Sequence, residues 1–155
     1  MITEPIRRII EENTIGLVAT VAPDGSPAVL PKATMVIVDE RTIAFSDLRS
    51  PQTVRNIRHN PAVELNFIDV FSRKAARVKG RATYFEKGSA RYQELVPRFA
   101  HWGNLLPRMR GFVVVDVEKA QLVLSPAYDD GATEAELQEQ WLKTFTARIR
   151  GGTHA

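Results

Sequence analysis

The strands of this protein are most clearly marked in residues 16–47, which read GLVATVAPDGSPAVLPKATMVIVDERTIAFSD. Apolar and small residues dominate this stretch, and Asp24-Gly25 separates its first two apolar runs. An Asp-Gly pair in that position is a strong signal for a tight turn between antiparallel strands. A second turn, Asp39-Glu40-Arg41, precedes another apolar run. The stretch therefore predicts three strands, over residues 16–22, 27–38 and Thr42–Asp47.

Beyond this stretch, the chain combines further strands with a few helices. Three more strands are predicted, over residues 62–69, 75–86 and 111–124. Four helices are predicted: a short one that begins after its N-cap Thr3, and others over Ser50–Asn60, Ser89–Phe99 and about 133–149. At the start of the last one, Thr133 and Glu136 match a capping box. A parallel sheet needs a helix between most of its strands, and this order does not supply them. We therefore expect a mainly β fold, a six-stranded antiparallel barrel with peripheral helices, in a single domain over residues 1–155.

The composition limits the kinds of site that this chain can build. Its 155 residues contain no cysteine, which excludes disulfides, thiolate metal sites and cysteine nucleophiles. Three scattered histidines are a poor set of ligands, so we expect no metal site. The net charge of +3 is too small to indicate nucleic-acid binding. Because the apolar runs are far shorter than the ~20 residues of a membrane helix and no signal-peptide block is present, we expect no membrane partner and a cytoplasmic location.

Sequence motifs that carry catalysis by protein side chains are missing. The sequence contains no glycine-rich nucleotide loop, no nucleophile elbow and no HExxH pair. Any chemistry is therefore expected to come from a bound cofactor, which the protein positions and tunes.

The start of the second predicted helix has the features of an anion site. Ser50 suits the N-cap, and Pro51 suits the first helical position, where its missing N–H costs nothing. The amides of Gln52 and Thr53 would then point out of the helix start, where free donors and the helix dipole attract an anion such as a phosphate. Ser-Pro starts also occur on ordinary surface helices, so this alternative stays open.

Two further basic features lie on predicted strands. Lys32 interrupts a face of small and apolar residues, and it is either a cation in a groove near this helix or an edge lysine that reaches water. In the stretch Arg73–Arg81, alternation places Arg73, Arg77, Lys79 and Arg81 on one face. That pattern is typical of a solvated outer face, although it also permits a contact with an anionic ligand. No aromatic residues are interleaved for stacking on nucleic-acid bases.

Four segments together resemble the pyridoxamine 5'-phosphate oxidase-like, FMN-binding split-barrel family. Three of them are LVATVAPDGSPAVLP (17–31), SPQTVRNIRHNPAV (50–63) and RVKGRA (77–82). The fourth, SPAYDDGATEAELQEQW (125–141), is similar to a subset of small bacterial members. Each segment is weak evidence alone, but their order and spacing extend over about residues 10–145.

The resemblance implies a six-stranded split barrel that forms a homodimer, with FMN in grooves between the subunits. It places Trp102 or Arg77 as the partner subunit's contribution to the groove, and a nicotinamide or another small molecule as the reaction partner. It also implies the residues of the cofactor site. Lys32, Ala33 and Thr34 would lie beside the ring and ribityl chain, Ser46 and Asp47 at the end of the next strand, and Ser50, Gln52 and Thr53 at the phosphate.

The sequence departs from the family pattern in two places. The oxidases have a Ser-Arg-Lys phosphate motif where this chain has Ser50-Pro51-Gln52-Thr53, and they end in an Arg-x-His element that this chain lacks. The chain is therefore expected to be an FMN-dependent oxidoreductase with a substrate other than pyridoxamine phosphate. Two alternatives remain: a deazaflavin-dependent reductase, whose anionic tail could follow the Arg73–Arg81 face, and a non-catalytic flavin- or ligand-binding protein.

Overall fold

The structure of the protein is a computed structural model that describes residues 1–151. The predicted single domain extends over residues 1–155, of which 152–155 lie outside the described residues. Short 3-10 segments, Ala100–Arg108 and Pro126–Tyr128, precede and follow the last strand. The elements in chain order are α1 (Glu4–Glu12), β1 (Gly16–Val21), β2 (Pro27–Lys32), β3 (Met35–Asp39), β4 (Thr42–Asp47), α2 (Pro51–His59), β5 (Ala62–Asp69), β6 (Lys74–Glu86), α3 (Ala90–Phe99), β7 (Gly111–Leu124) and α4 (Glu134–Arg150).

The strands form one antiparallel sheet in the order β2-β1-β5-β6-β7-β4-β3. β2 and β3 lie at opposite ends of this order, yet they follow one another in the chain. Residues 27–39 therefore lead directly from one end of the sheet to the other, and the sheet curls into a split barrel. The predicted mainly β class, an antiparallel barrel with peripheral helices, is confirmed.

The predicted strand over residues 27–38 is wrong in one respect, because the structure divides it into β2 and β3 and the sheet has seven strands. β2 pairs with β1 as far as Lys32. The carbonyl oxygen of Thr34 then accepts a hydrogen bond from the Ser46 amide at 3.0 Å, so the chain changes its neighbour from β1 to β4 around Ala33. Side-chain alternation continues through this bend, since Lys32 and Thr34 are both buried and Ala33 is exposed. The sequence pattern therefore does not reveal the change of partner.

Two groups of apolar side chains pack on opposite faces of the central strands. One group fills the barrel and is covered by α1 through Ile6, Ile9 and Ile10. The other is covered by α3, and the rings of Tyr92 and Phe99 stack on Phe112 with centroids 4.4 and 4.1 Å apart. All six residues of β4 are buried, because both groups pack against this strand. The end of β4 is thereby held in a fixed position.

The C-terminal helix α4 packs on the outside of the barrel. It begins one residue after its N-cap Thr133, as the capping pattern predicts. The Tyr128 hydroxyl donates to the Ser72 carbonyl at 2.6 Å, and Arg73 lies over the Trp141 ring, 4.1 Å from its centroid. Some apolar side chains of α4 are uncovered, since Leu142 is 57% exposed and Ile149 is 78% exposed. None of the helices within residues 1–151 is long and apolar enough to cross a membrane.

Candidate cofactor site

Buried polar side chains are concentrated where β2 and β4 end and α2 begins. Ten polar or charged residues are buried in the described part of the chain, and eight of them belong to this region. Hydrogen bonds link several of them, and the Asn56 amide donates to the Thr20 hydroxyl at 2.9 Å. The eight residues, called the polar cluster below, are Thr20, Lys32, Thr34, Ser46, Asp47, Ser50, Thr53 and Asn56.

Ser50 occupies the N-cap position of α2 without capping the helix. Its side chain is 3% exposed, and its Oγ has no hydrogen-bond partner among residues 1–151. Its backbone amide donates to Asp47 Oδ1 at 3.1 Å, which fixes the approach to the helix. The amides of the first helical turn have no intrahelical acceptor, so a hydroxyl and N–H donors are available at one place. A buried hydroxyl without a partner is costly unless a ligand completes it, and a phosphate oxygen is a suitable acceptor.

Lys32 adds a buried positive charge to this cluster. It is 8% exposed, and burial holds the pKa of its ammonium below the ordinary value, although the nearby Asp47 carboxylate acts in the opposite direction. Within the described residues, no carboxylate forms an ion pair with Lys32 at 4.0 Å or less. A ligand anion at this position would compensate the charge. Lys32 is therefore a buried cation rather than an edge lysine that reaches water.

The Asp47 carboxylate is already engaged by other donors. Oδ1 accepts the Ser50 N–H, and Oδ2 accepts the Tyr84 hydroxyl at 3.2 Å. Burial and the Asp47 charge raise the pKa of Tyr84 to about 12, so this phenol remains a neutral donor at physiological pH. Asp47 thus orders the start of α2, while its charge lies near the Lys32 ammonium.

The other predicted site residues have different environments. The hydroxyls of Thr34 and Ser46 hydrogen-bond to one another across the bend between β2 and β3. Gln52 is exposed, and its side chain contacts Asn56 at 2.7 Å and Arg55 at 2.6 Å. The structure therefore brings Thr34, Ser46 and Thr53 into the polar cluster but leaves Gln52 and Ala33 at its surface.

A cavity of about 600 Å³ opens beside Lys32 and Ala33. Its floor includes Met35, Ile37 and Phe67, so it offers an apolar surface next to the buried cation. A volume of this size falls within the range of sites for cofactors and other small molecules. We call it the ring cavity, since it is large and apolar enough for a planar ring system.

A second wall of the ring cavity was not predicted from the sequence and is formed by residues near the end of α3. Arg98, His101 and Trp102 line it, all near the junction of α3 with the following 3-10 segment. Trp102, which the resemblance gives with Arg77 as alternative contributions of a partner subunit, lines this cavity within its own chain, and its contact with a partner stays a prediction. No residue pattern indicates this wall, because it lies more than 60 residues beyond Lys32 and only the tertiary fold brings the two together.

Two cations of the basic face on β6 share one carboxylate of the neighbouring strand β5. Arg77 forms an ion pair with Glu64, whose second oxygen lies 3.5 Å from Lys79 Nζ. Arg73 stacks on Trp141, as described above. Contacts of this kind are typical of a solvated outer face.

Comparison with solved structures finds the same fold in several proteins. HupZ from Group A Streptococcus is 26% identical with a TM-score of 0.70, over 81% of this chain and 96% of that one. A protein described as an F420 reductase is 27% identical with a TM-score of 0.59, over 77% and 98% of the two chains. An FMN-binding protein from Syntrophomonas wolfei is 13% identical with a TM-score of 0.63, over 79% and 86%, and this likeness concerns the fold alone.

The family assignment rests on the barrel rather than on the C-terminal helix. A search of curated proteins finds no match. The family model described as pyridoxamine 5'-phosphate oxidase matches residues 2–124, which include every strand of the sheet and end before α4. This chain belongs to the pyridoxamine 5'-phosphate oxidase family.

Proposed function

We propose that this protein binds FMN and acts as an FMN-dependent oxidoreductase. The observation that carries the proposal is the buried Ser50 hydroxyl, which has no partner within residues 1–151 and lies at the start of α2 in the polar cluster that contains Lys32. A phosphate would accept hydrogen bonds from Ser50 and from the first-turn amides, and Lys32 would compensate its charge. These residues fit the phosphate end of FMN.

In this proposal the chain's own residues bind and orient the cofactor. Thr53 lies one turn after Ser50 on the buried side of α2, and Ala33 presents a small side chain beside the ring cavity. The apolar floor of that cavity would exclude water from one face of the ring. When bound, the flavin would supply hydride or electron transfer, with a nicotinamide or another small molecule as reaction partner.

The substrate proposed here is not pyridoxamine phosphate. Pro51, Gln52 and Thr53 contribute no charge at the start of α2, where the family's oxidases have an Arg-Lys pair, and the chain lacks their Arg-x-His element. In this proposal Lys32, on β2, supplies one of the two positive charges that the Arg-Lys pair provides in the oxidases, since it is buried in the same polar cluster.

A cytoplasmic homodimer is part of the proposal. Leu17 on β1 and Val29 and Leu30 on β2 are exposed apolar residues of neighbouring strands at one end of the sheet order. An exposed edge strand with apolar side chains favours association, and a second copy would cover it. Light scattering on the purified protein tests this part, and a monomer at micromolar concentration would contradict it.

The central experiment is the absorption spectrum of the purified protein, recorded again after addition of excess FMN and desalting. We expect flavin bands that survive desalting. A colourless protein that retains no FMN would contradict the proposal. Reduction of the bound flavin by NADH or NADPH, followed by reoxidation with an acceptor, would support catalysis over a purely binding role.

A charge reversal at the phosphate tests the site itself. Thr53→Asp would place a carboxylate against the FMN phosphate, and we expect a loss of affinity of about a hundredfold, measured by flavin fluorescence titration. Thr53→Asn is the matched control, because it has nearly the same shape without the charge, and it should lose much less. Equal affinities of the two variants, both folded by circular dichroism, would mean that Thr53 is not at the phosphate.

A deazaflavin cofactor is the second candidate. The observation that favours it is the similarity to the protein described as an F420 reductase, which has the highest identity of the structures compared above. Parallel titration with FMN and a deazaflavin coenzyme separates the two, since only the preferred cofactor should bind tightly at equal concentration.

A further inference from the structure

Asp47, a member of the polar cluster, lines a second cavity. The lining of this cavity shares no residue with that of the ring cavity. This cavity has a volume of about 480 Å³ and lies beside the outer side of α2. We call it the basic cavity, because four of its lining residues are cationic and two are anionic. The charged residues are Arg55, Arg58, Lys87, Arg110, Asp47 and Glu86.

The two carboxylates of the basic cavity are occupied by other partners. Glu86 forms an ion pair with Arg58 at 2.6 Å. Asp47 accepts hydrogen bonds from the Ser50 amide and the Tyr84 hydroxyl. In the described structure, the remaining cations Arg55, Lys87 and Arg110 form no ion pair with any carboxylate. Arg55 contacts the neutral Gln52 side chain, and Lys87 donates to the Pro107 carbonyl at 2.7 Å, so neither of these contacts brings a negative charge.

Backbone hydrogen bonds hold the main chain of Lys87 and Arg110 together. The Arg110 amide donates to the Asp47 carbonyl at 2.8 Å, and the Lys87 amide donates to the Arg110 carbonyl at 3.0 Å. Tyr84 contributes a neutral ring to the lining, and the Arg58 guanidinium lies 5.1 Å from its centroid. The cavity therefore combines a fixed backbone with three cations that lack carboxylate partners.

We propose that the basic cavity is an anion subsite for a group that carries two or more negative charges, such as a diphosphate or a pair of carboxylates. A guanidinium group binds two phosphate or carboxylate oxygens at once. Arg55 in α2 and Arg110, just before β7, supply two such groups from distant parts of the chain. The lining includes Pro51, the first residue of α2, but neither Ser50 nor Thr53, so the subsite is adjacent to the proposed phosphate position and does not coincide with it. The subsite extends beyond the proposed function, because it does not require a bound flavin.

The test is calorimetric titration of inorganic pyrophosphate into the protein, with and without FMN. The variant Arg55→Gln/Arg110→Gln removes two of the three unpaired cations, and we expect it to weaken pyrophosphate binding at least tenfold. The control Arg41→Gln/Arg81→Gln removes the same charge from exposed positions outside the cavity and should change binding less than twofold. Binding should also weaken as salt rises, because the lining cations are exposed.

A second titration identifies the source of the anionic group. FAD has a diphosphate where FMN has one phosphate, so a cofactor extension in the basic cavity would make FAD bind more tightly than FMN, and Arg55→Gln/Arg110→Gln would remove this advantage. Pyrophosphate binding that depends on the two arginines, without an advantage for FAD, would indicate a free anionic ligand.

Equal affinities of the wild type and of Arg55→Gln/Arg110→Gln for the ligands of both titrations would overturn the proposal of an anion subsite. The FMN site is judged separately, from retention of flavin absorbance by the wild type. The two proposals therefore fail independently.

Discussion

The helices α2 and α4 both begin behind a hydroxyl side chain, and they use it differently. At α4, the Thr133 hydroxyl accepts the Glu136 amide at 3.3 Å, and the Glu136 carboxylate accepts the Thr133 amide at 2.8 Å. At α2, the Ser50 hydroxyl is buried and has no partner in the part of the chain described. The start of α4 is therefore capped by the chain's own side chains. The start of α2 has a hydroxyl and backbone amides for which residues 1–151 supply no acceptor.

The nearby lysines show the same contrast. Lys74 forms an ion pair with Glu134 in the first turn of α4. Lys32, in the polar cluster with Ser50, is more deeply buried and lacks a carboxylate at ion-pair distance within residues 1–151. A protein tolerates a buried cation without an ion-pair partner and an unsatisfied hydroxyl at one place when they serve a ligand, because each lowers stability when the ligand is absent. The comparison therefore separates a helix start that the chain itself completes from one that, in our proposal, a ligand completes.

Among the substitutions that test this comparison of the two helix starts, Lys32→Met has the largest expected effect. We expect FMN affinity to fall tenfold to about a hundredfold, because a charge-assisted contact contributes about 1.5–3 kcal/mol. The unfolding free energy of the cofactor-free protein should rise, since methionine has a similar shape and no charge to bury. Fluorescence titration and urea denaturation measure the two quantities.

Lys74→Met is the control for this substitution at α4. It should lower stability, because it leaves Glu134 without its ammonium partner, and it should leave FMN binding unchanged. A destabilised Lys32→Met variant with unchanged FMN affinity would make Lys32 a structural residue and remove the contrast.

A smaller effect is expected when the two hydroxyls are removed. Thr133→Ala should cost about 1 kcal/mol of unfolding free energy, since it removes a cap that is fully used. Ser50→Ala should change stability by less than about 0.5 kcal/mol, because no protein hydrogen bond is lost. It should weaken FMN binding about fivefold to tenfold, which corresponds to one hydrogen bond. Equal stability losses in the two variants would contradict the assignment of Ser50 to a ligand.

The smallest effect is a pH dependence of stability. The unfolded chain keeps a proton on Lys32 up to about its ordinary pKa of 10.5, whereas burial makes the folded chain release it at lower pH. Between these two values unfolding takes up a proton, so the stability of the cofactor-free protein should increase with pH in that window. Urea denaturation from pH 7 to 10 should show this increase relative to Lys32→Met. Parallel curves for the two proteins would contradict the lowered pKa.

Much of the site was predictable from local sequence patterns. Ser50-Pro51 predicts the start of α2, and the structure places the helix at Pro51–His59. The alternation around Lys32 predicts that its side chain shares a face with Thr34, and both are buried. The bend at Ala33 was not predictable, because alternation continues through it while the neighbouring strand changes from β1 to β4.

The sequence by itself determined the antiparallel strands and the starts of the helices, because turn pairs, caps and alternation depend on residues only a few positions apart. Most candidate residues of the polar cluster came from the family resemblance, and Thr20 and Asn56 were not predicted. Tertiary structure decided which polar groups find partners within the chain. It paired Arg77 with Glu64 on the neighbouring strand, and it left Ser50 Oγ and Lys32 without such partners among residues 1–151. It also brought Trp102 and Ala33 into the lining of the same ring cavity. Such contacts join residues far apart in the chain, so their presence follows from packing of the whole barrel and not from any local pattern.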